Sequence, residues 1–344
     1  MYRIGINGYG RIGRSILRAL TERQAQGQCA DMQIVSINEP SDAQTILHLT
    51  QYDSTHGRFQ GSCRLDEGKL FINERPISLS HQDDINYLRW PDVDLVMECS
   101  GQFSSRQDAE RHIYQGADKV LFSHPADKDV DRTVIYGINH QQIETSDRIL
   151  SNGSCTTNAC VPLLKFIDET HGIDAASITT IHSVMNDQPL IDAFHHTDLR
   201  KTRSATQSII PVDTALAKGI YRFLPHLEGR ISAQALRVPT MNVSAINLCI
   251  QLNNAIDVGT INQQIHTYTE FNASILTCNS QPLASIDFNH DSHSAIIDLT
   301  QTSISGDKLL KLFIWFDNEW GFANRMIDVA QHIKRLNSKQ PGSN

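Results

Sequence analysis

Gly8-Tyr9-Gly10-Arg11-Ile12-Gly13 sets three glycines at G-x-G-x-x-G spacing. It lies directly behind the apolar run 2–7 and ahead of a stretch, 11–23, with Ile12, Ile16, Leu17 and Leu20 on one helical face. Glycines punctuate many loops, so the spacing alone says little. Between a strand and a helix it constrains the fold, because a tight βα turn backed by a helix N-terminus cradles a pyrophosphate. The next strand-like run, 33–38, ends in Asn38-Glu39. A carboxylate there accepts hydrogen bonds from ribose hydroxyls and repels a 2′-phosphate, which favours NAD over NADP. A purely structural turn with a solvated glutamate would need the strand, the helix and the acid to coincide by chance.

Strand-like runs recur at 93–100, 119–124 and 133–138. A helical stretch, 104–116, lies between two earlier elements of this series, with Ser104 placed to cap its start and Gly116 its end. Alternation of this kind predicts βαβ units and a Rossmann-type doubly wound parallel sheet, an α/β fold. At 344 residues the chain exceeds one ordinary core, so two domains are expected. Beyond residue 155 the texture shifts to a helix, 156–170, and longer strands at 176–185, 231–240, 243–252 and 309–317, with a polar loop at 186–210. The expected division is an NAD-binding domain, 1–154, completed by a C-terminal helix, 318–336, and an α+β catalytic domain, 155–317, with a mostly antiparallel sheet. The tail "NSKQPGSN" is expected to fray.

Composition excludes several classes. The formal net charge of −8 argues against nucleic-acid or anionic-membrane partners, although "LRKTR" at 199–203 could serve a small anion. No apolar run reaches the ~20 residues that span a bilayer. The strand-like opening "MYRIGINGYG" leaves no room for a signal peptide, so a cytoplasmic protein is expected. The 7 cysteines are odd in number and form no C-x-x-C pair, which disfavours both a disulfide framework and structural zinc. The cluster "DFNHDSH", 287–293, reads as a hydrogen-bonded loop rather than a metal site, and "FHH", 194–196, as loop surface. No metal is expected.

One cysteine differs from the rest. Cys155 follows Ser154, a good N-cap, and falls in the first turn of an apolar helix, where the helix dipole favours a thiolate. Cys160 lies deeper in that helix among apolar neighbours, a packing position. His182 ends an apolar strand just before the polar loop, where a base could emerge to serve the thiol.

"INGYGRIGR", "SCTTN", "TTIHS", "RVPT" and "DNEWGFANRM", in this order along nearly the whole chain, resemble the glyceraldehyde-3-phosphate dehydrogenase superfamily. "INEP", "YDSTHGRF", "LFSHP", "HSVMNDQ" and "IDFNHDSHSAI" resemble its erythrose-4-phosphate-oxidising branch more than its glycolytic one. The resemblance implies that Cys155 is the nucleophile and His182 its activator, passing an aldehyde through a thioacyl enzyme. It implies cofactor contacts from Gly8, Gly10, Arg11, Ile12, Gly13, Glu39, Ser123 and Asn318, with Asn318 near the nicotinamide amide. Substrate contacts are implied from Ser154, Thr156, Lys201, Thr214, Ala215 and Arg237. It further implies a small phosphorylated aldehyde as substrate and a homotetramer in which the 186–210 loop reaches a neighbouring subunit.

Departures from the family pattern bear on how the acyl group leaves. Met185 stands where a phosphate-binding threonine is usual, Ala215 replaces a glycine, and Lys201 replaces an arginine, keeping the charge without the bidentate fork. These changes shift the expected acceptor from inorganic phosphate toward water. Ala159 stands in place of the family's second cysteine, Phe322 in place of a tyrosine, and "HQD", 81–83, in place of an adenine-side arginine. An ordinary phosphorylating dehydrogenase that has drifted at these positions is the alternative. A redox-sensing NAD-binding protein is the alternative of another class, and it leaves His182, Arg237 and the hydroxyl set unexplained.

Overall fold

The computed structural model describes residues 1–195 and 198–338. It divides into two compact units, Met1–Ser154 with the described part of Phe322–Asn344, and Cys155–Gly321.

In the first unit, alternating strands and helices build a nine-stranded sheet. Tyr2–Asn7 lies at its middle, with Met32–Asn38 parallel to it on one side and Val93–Glu98 on the other. The chain order reverses about this strand, and ligands of doubly wound sheets bind beyond the carboxyl ends of the strands at such a switch point. Ala117–Phe122, Ile149–Ser151 and Arg132–Thr133 continue the parallel set outward, while Arg75–Ser80, Lys69–Ile72 and Cys63–Asp66 finish the other edge, the last two pairings antiparallel. Ile4, Ile6, Ile37, Leu95, Met97, Val120 and Leu121 are buried, as a sheet covered on both faces requires.

Two local expectations fail here. The apolar run 133–138 is not a strand past Thr133. The Asn139 side chain accepts from the Ile135 N–H, and the Ile135 carbonyl accepts from Ile138 and Asn139, closing a turn that buries Val134 and Ile135 without extending the ladder. The helix expected at 104–116 is Arg106–Tyr114, capped by Ser105 rather than Ser104. Ser105 and Asp108 form a reciprocal capping box, although Ser104 and Gln107 stand at the same spacing one residue earlier. Gly116 does supply the positive φ, +111°, beyond the helix end.

The second unit is an eight-stranded sheet in which Ile231–Arg237 runs parallel to Ile173–His182, and Ser244–Leu252 and Leu309–Phe316 follow antiparallel. Helix Cys155–His171 packs its buried face, Ala159, Cys160, Leu163, Leu164 and Ile167, into this unit's core. The parallel register pairs His182 with Arg237, so both side chains leave the sheet at one end. The C-terminal helix is Trp320–Ser338, and the rest of the tail, like His196 of "FHH", lies outside the described residues. Among the described residues no helix is long and apolar enough to cross a membrane.

Candidate active site

The nucleotide end of the first unit is made of backbone. Gly8, at φ +85°, turns so tightly that a Cβ would lie 2.4 Å from the Ser100 backbone, and a Cβ on Gly13 would lie 2.3 Å from the Gly8 carbonyl oxygen. Both glycines are required by the protein's own packing. Gly10 is not: its φ is negative and a Cβ would meet nothing within 4 Å. A glycine that neither conformation nor packing demands, at the head of the helix Arg11–Ala25, fits a site kept open for a pyrophosphate. Glu39 accepts from the Tyr9 N–H through Oε2 at 2.8 Å, and Oε1 has no partner among the described residues, which suits a ribose hydroxyl. Ile12 follows in the first turn of the helix, and Ser123 sits just beyond the strand Ala117–Phe122, its N–H donating to the Glu98 carbonyl.

A buried network fixes this end from below. Glu98 accepts from Asn7 Nδ2 at 2.6 Å, from His112 at 2.9 Å and from the Ser100 N–H at 2.7 Å. Burial pushes its carboxyl up, but these partners outweigh burial and hold it below the usual range. Asn38 Nδ2 in turn donates to Asn7 Oδ1. The Arg11 guanidinium forks onto Asp53, with Nη2 3.2 Å from Oδ1. Its side chain is therefore engaged within the protein, a pairing that the sequence shows only as a distant acid.

The thiol end of the second unit is made of side chains. Cys155 is the first residue of its helix, with His182 Nε2 at 3.8 Å and Thr156 Oγ1 at 3.9 Å from Sγ. His182 Nδ1 lies 2.8 Å from the Ser183 carbonyl oxygen, which can only accept, so the ring proton sits on Nδ1 and Nε2 offers a lone pair to the thiol. The Phe316 ring packs edge-on against this imidazole. Burial pushes the Cys155 thiol up, against the pull of the Thr156 hydroxyl and the N–H groups of Thr156 and Cys155, and burial pushes His182 down. The resting pair is thus favoured uncharged, with a base already aimed at the proton to be removed. Cys160 is fully buried and pushed up to about 12, an inert packing thiol.

Asn318 is held by two hydroxyls: Ser183 Oγ donates to its Oδ1 at 3.1 Å and Ser244 Oγ at 2.8 Å, leaving Nδ2 without a partner among the described residues. Asp317, its buried neighbour, accepts from Asn242 Nδ2, from the His290 N–H and from the Glu319 and Trp320 N–H groups. The "DFNHDSH" segment is therefore a buttress for the 317–320 turn, and His290 stacks on Trp320 at 3.6 Å between ring centroids.

Arg237 and Lys201 come together through Asp187: Arg237 Nη1 donates to Oδ1 and Lys201 Nζ to Oδ2 at 3.1 Å. Thr214 accepts from the Leu216 N–H at the head of the short helix Leu216–Tyr221, which Ala215 enters without a side-chain cap. Met185 is half exposed. Ser154 directly precedes the Cys155 helix. Sequence reading missed Ser183, Ser244, Gln188, whose Oε1 accepts from Arg237 Nη1 at 3.3 Å, and Asp187. Only the last left a signal, since a buried arginine calls for an acid.

Residues 2–106 match the family profile described as glyceraldehyde 3-phosphate dehydrogenase, NAD binding domain, and residues 154–318 match its C-terminal domain. The cofactor of the first unit is accordingly NAD. The two matches together cover most of the chain, which therefore belongs to the glyceraldehyde-3-phosphate dehydrogenase family and is an NAD-dependent dehydrogenase.

Proposed function

We propose that the chain oxidises D-erythrose 4-phosphate to 4-phosphoerythronate with NAD, through an acyl thioester on Cys155 released by water, as a cytoplasmic homotetramer acting in pyridoxal 5′-phosphate biosynthesis. The observation that carries the reading is the imidazole tautomer fixed by Ser183, which turns a basic Nε2 toward Cys155 Sγ.

His182 takes the thiol proton as the thiolate adds to the aldehyde carbon, and returns it to the new oxygen to give a hemithioacetal. Bound NAD supplies the acceptor for the hydride that leaves this carbon. His182 then removes the hydroxyl proton, the carbonyl reforms as a thioester, and the imidazolium loses its proton to solvent. A water attacks the thioester carbon with His182 again as base, and the thiolate leaves the carboxylic acid behind. Arg237 and Lys201, at the sheet end shared with His182, suit the phosphate of the substrate. Met185 and Ala215 weaken the case for inorganic phosphate as the acyl acceptor. The four-carbon substrate follows from the branch-specific strings of the sequence. Exposed Leu190, Ile191, Phe194 and Leu199 on the 186–210 segment support a subunit contact.

The retained hydroxyls of Thr156 and Thr214 favour a second reading, a phosphorylating glyceraldehyde-3-phosphate dehydrogenase. NADH formation from erythrose 4-phosphate and from glyceraldehyde 3-phosphate, each with and without inorganic phosphate, separates the two. The proposal expects the tetrose to be preferred and turnover to proceed without phosphate. A preferred triose with phosphate-dependent turnover rejects it.

A further inference from the structure

We propose that Asp187 is a built-in anion that occupies the phosphate-recognition cations, so that free phosphate is turned away while the phosphate of a substrate held at Cys155 displaces it. The inference rests on the reading that Arg237 and Lys201 receive the substrate's phosphate.

Asp187 places one carboxylate oxygen on each cation, the bridging arrangement that two phosphate oxygens would adopt. Arg237 is buried and fixed at its strand end, and its Nη1 also donates to Gln188 Oε1 at 3.3 Å. Lys201 comes from the turn Leu199–Thr202 on the far side of the loop. Burial raises the Asp187 carboxyl, but Arg237 and Lys201 outweigh burial and hold it below the usual range, so it is ionised at neutral pH. Two cations and one carboxylate leave a single net positive charge for an incoming phosphate, half of what the cations alone would offer.

The carboxylate is also open to solvent, so that it can be displaced without unpacking the core. Its side chain is 40% exposed, on a turn that the Gln188 N–H closes by donating to the Met185 carbonyl at 3.0 Å. A free anion competes with a carboxylate tethered a few bonds away, at high effective concentration. A phosphate on an aldehyde bonded to Cys155 is tethered as well, and competes on equal terms. Asp187 thus acts in the same direction as the loss of a hydroxyl at Met185: both make the site depend on the covalent anchor.

Thermal stabilisation by inorganic phosphate and by sulfate, compared between the parent and Asp187→Asn and Asp187→Ser, tests this without turnover. Anion binding is expected to tighten about tenfold in both variants, a modest figure because the Asp187 side chain is 40% exposed. Adding Lys201→Gln to Asp187→Asn should reverse the gain. Anion affinity that is unchanged or weaker in both single variants overturns the proposal, as does a gain that survives Lys201→Gln. With erythrose 4-phosphate as substrate, inorganic phosphate should become a stronger competitive inhibitor of Asp187→Asn than of the parent. If the anions bind more tightly to the variant but erythrose 4-phosphate is not oxidised, the substrate reading fails and the role of Asp187 stands.

Discussion

The nucleotide end and the thiol end are built on opposite plans. At the first, consecutive residues do the work through their backbone: Gly8, Gly10 and Gly13 shape one turn, and a single carboxylate, Glu39, finishes it. At the second, Cys155, His182, Asp187, Lys201, Arg237 and Asn318 arrive from separate segments and act through their side chains. A backbone site tolerates changes of side-chain chemistry but not of volume. A side-chain site is the reverse, and substitutions can be chosen to set one behaviour against the other.

The largest effects belong to the thiol end. Cys155→Ser should abolish NADH formation, because a serine hydroxyl is a far weaker acid and poorer nucleophile than the thiol from which His182 takes a proton. Cys160→Ser, in the same helix, should retain turnover and lose only stability, since it buries a hydroxyl among apolar neighbours. His182→Asn should lower kcat by about 10²–10⁴ and slow alkylation of Cys155 at neutral pH, with the fold intact by circular dichroism. If Cys160→Ser is inactive or His182→Asn is not, the geometry around Sγ has been misread.

At the nucleotide end two glycines should separate binding from stability. Gly10→Ala places its methyl in open space, so the melting temperature should hold while the KM for NAD rises on the order of tenfold, equivalent to about 1.4 kcal/mol of lost binding. Gly13→Ala drives a methyl to 2.3 Å from the Gly8 carbonyl oxygen and should destabilise the fold by about 1–3 kcal/mol in urea unfolding. Equal effects of the two substitutions on stability would mean that Gly10, too, is a packing glycine and that the opening above it is not a ligand site.

The same contrast explains what the sequence could reveal. The turn from Asn7 to Gly13 is local, so its strand, glycines and helix are readable in order, and Glu39 follows from where the next strand ends. The helix that begins at Cys155 is readable for the same reason. His182 stands out among 15 histidines by ending an apolar strand ahead of the polar loop, but its contact with Cys155 is made where a helix start meets a strand end, which local spacing does not show. Asp187 was in plain view in "HSVMNDQ" and still missed, since charge balance between residues 14 and 50 positions apart leaves no periodic trace. The run 133–138 failed in the other direction: Val134 and Ile135 are apolar because they are buried, and burial alone does not distinguish a strand from a tucked turn.

Arg11 tests where the two plans meet, as the one charged side chain inside the glycine turn. Its guanidinium is forked onto Asp53, whose carboxyl burial raises but which Arg11 and the N–H groups of His56 and Thr55 hold well below the usual carboxylate range. A carboxyl whose pKa is depressed by folding adds stability above its unfolded pKa of about 3.9 and loses it as pH falls through the lower folded value. Asp53→Asn should therefore cost about 1–3 kcal/mol at neutral pH, the scale of a hydrogen bond to a charged group. The difference from the parent should stay level down to about pH 4 and shrink below it. If the Arg11 side chain serves only this pair, the KM for NAD should remain near the parent's. A large rise in KM with little change in stability would instead assign that guanidinium to the cofactor, and the nucleotide end would no longer be a site of backbone alone.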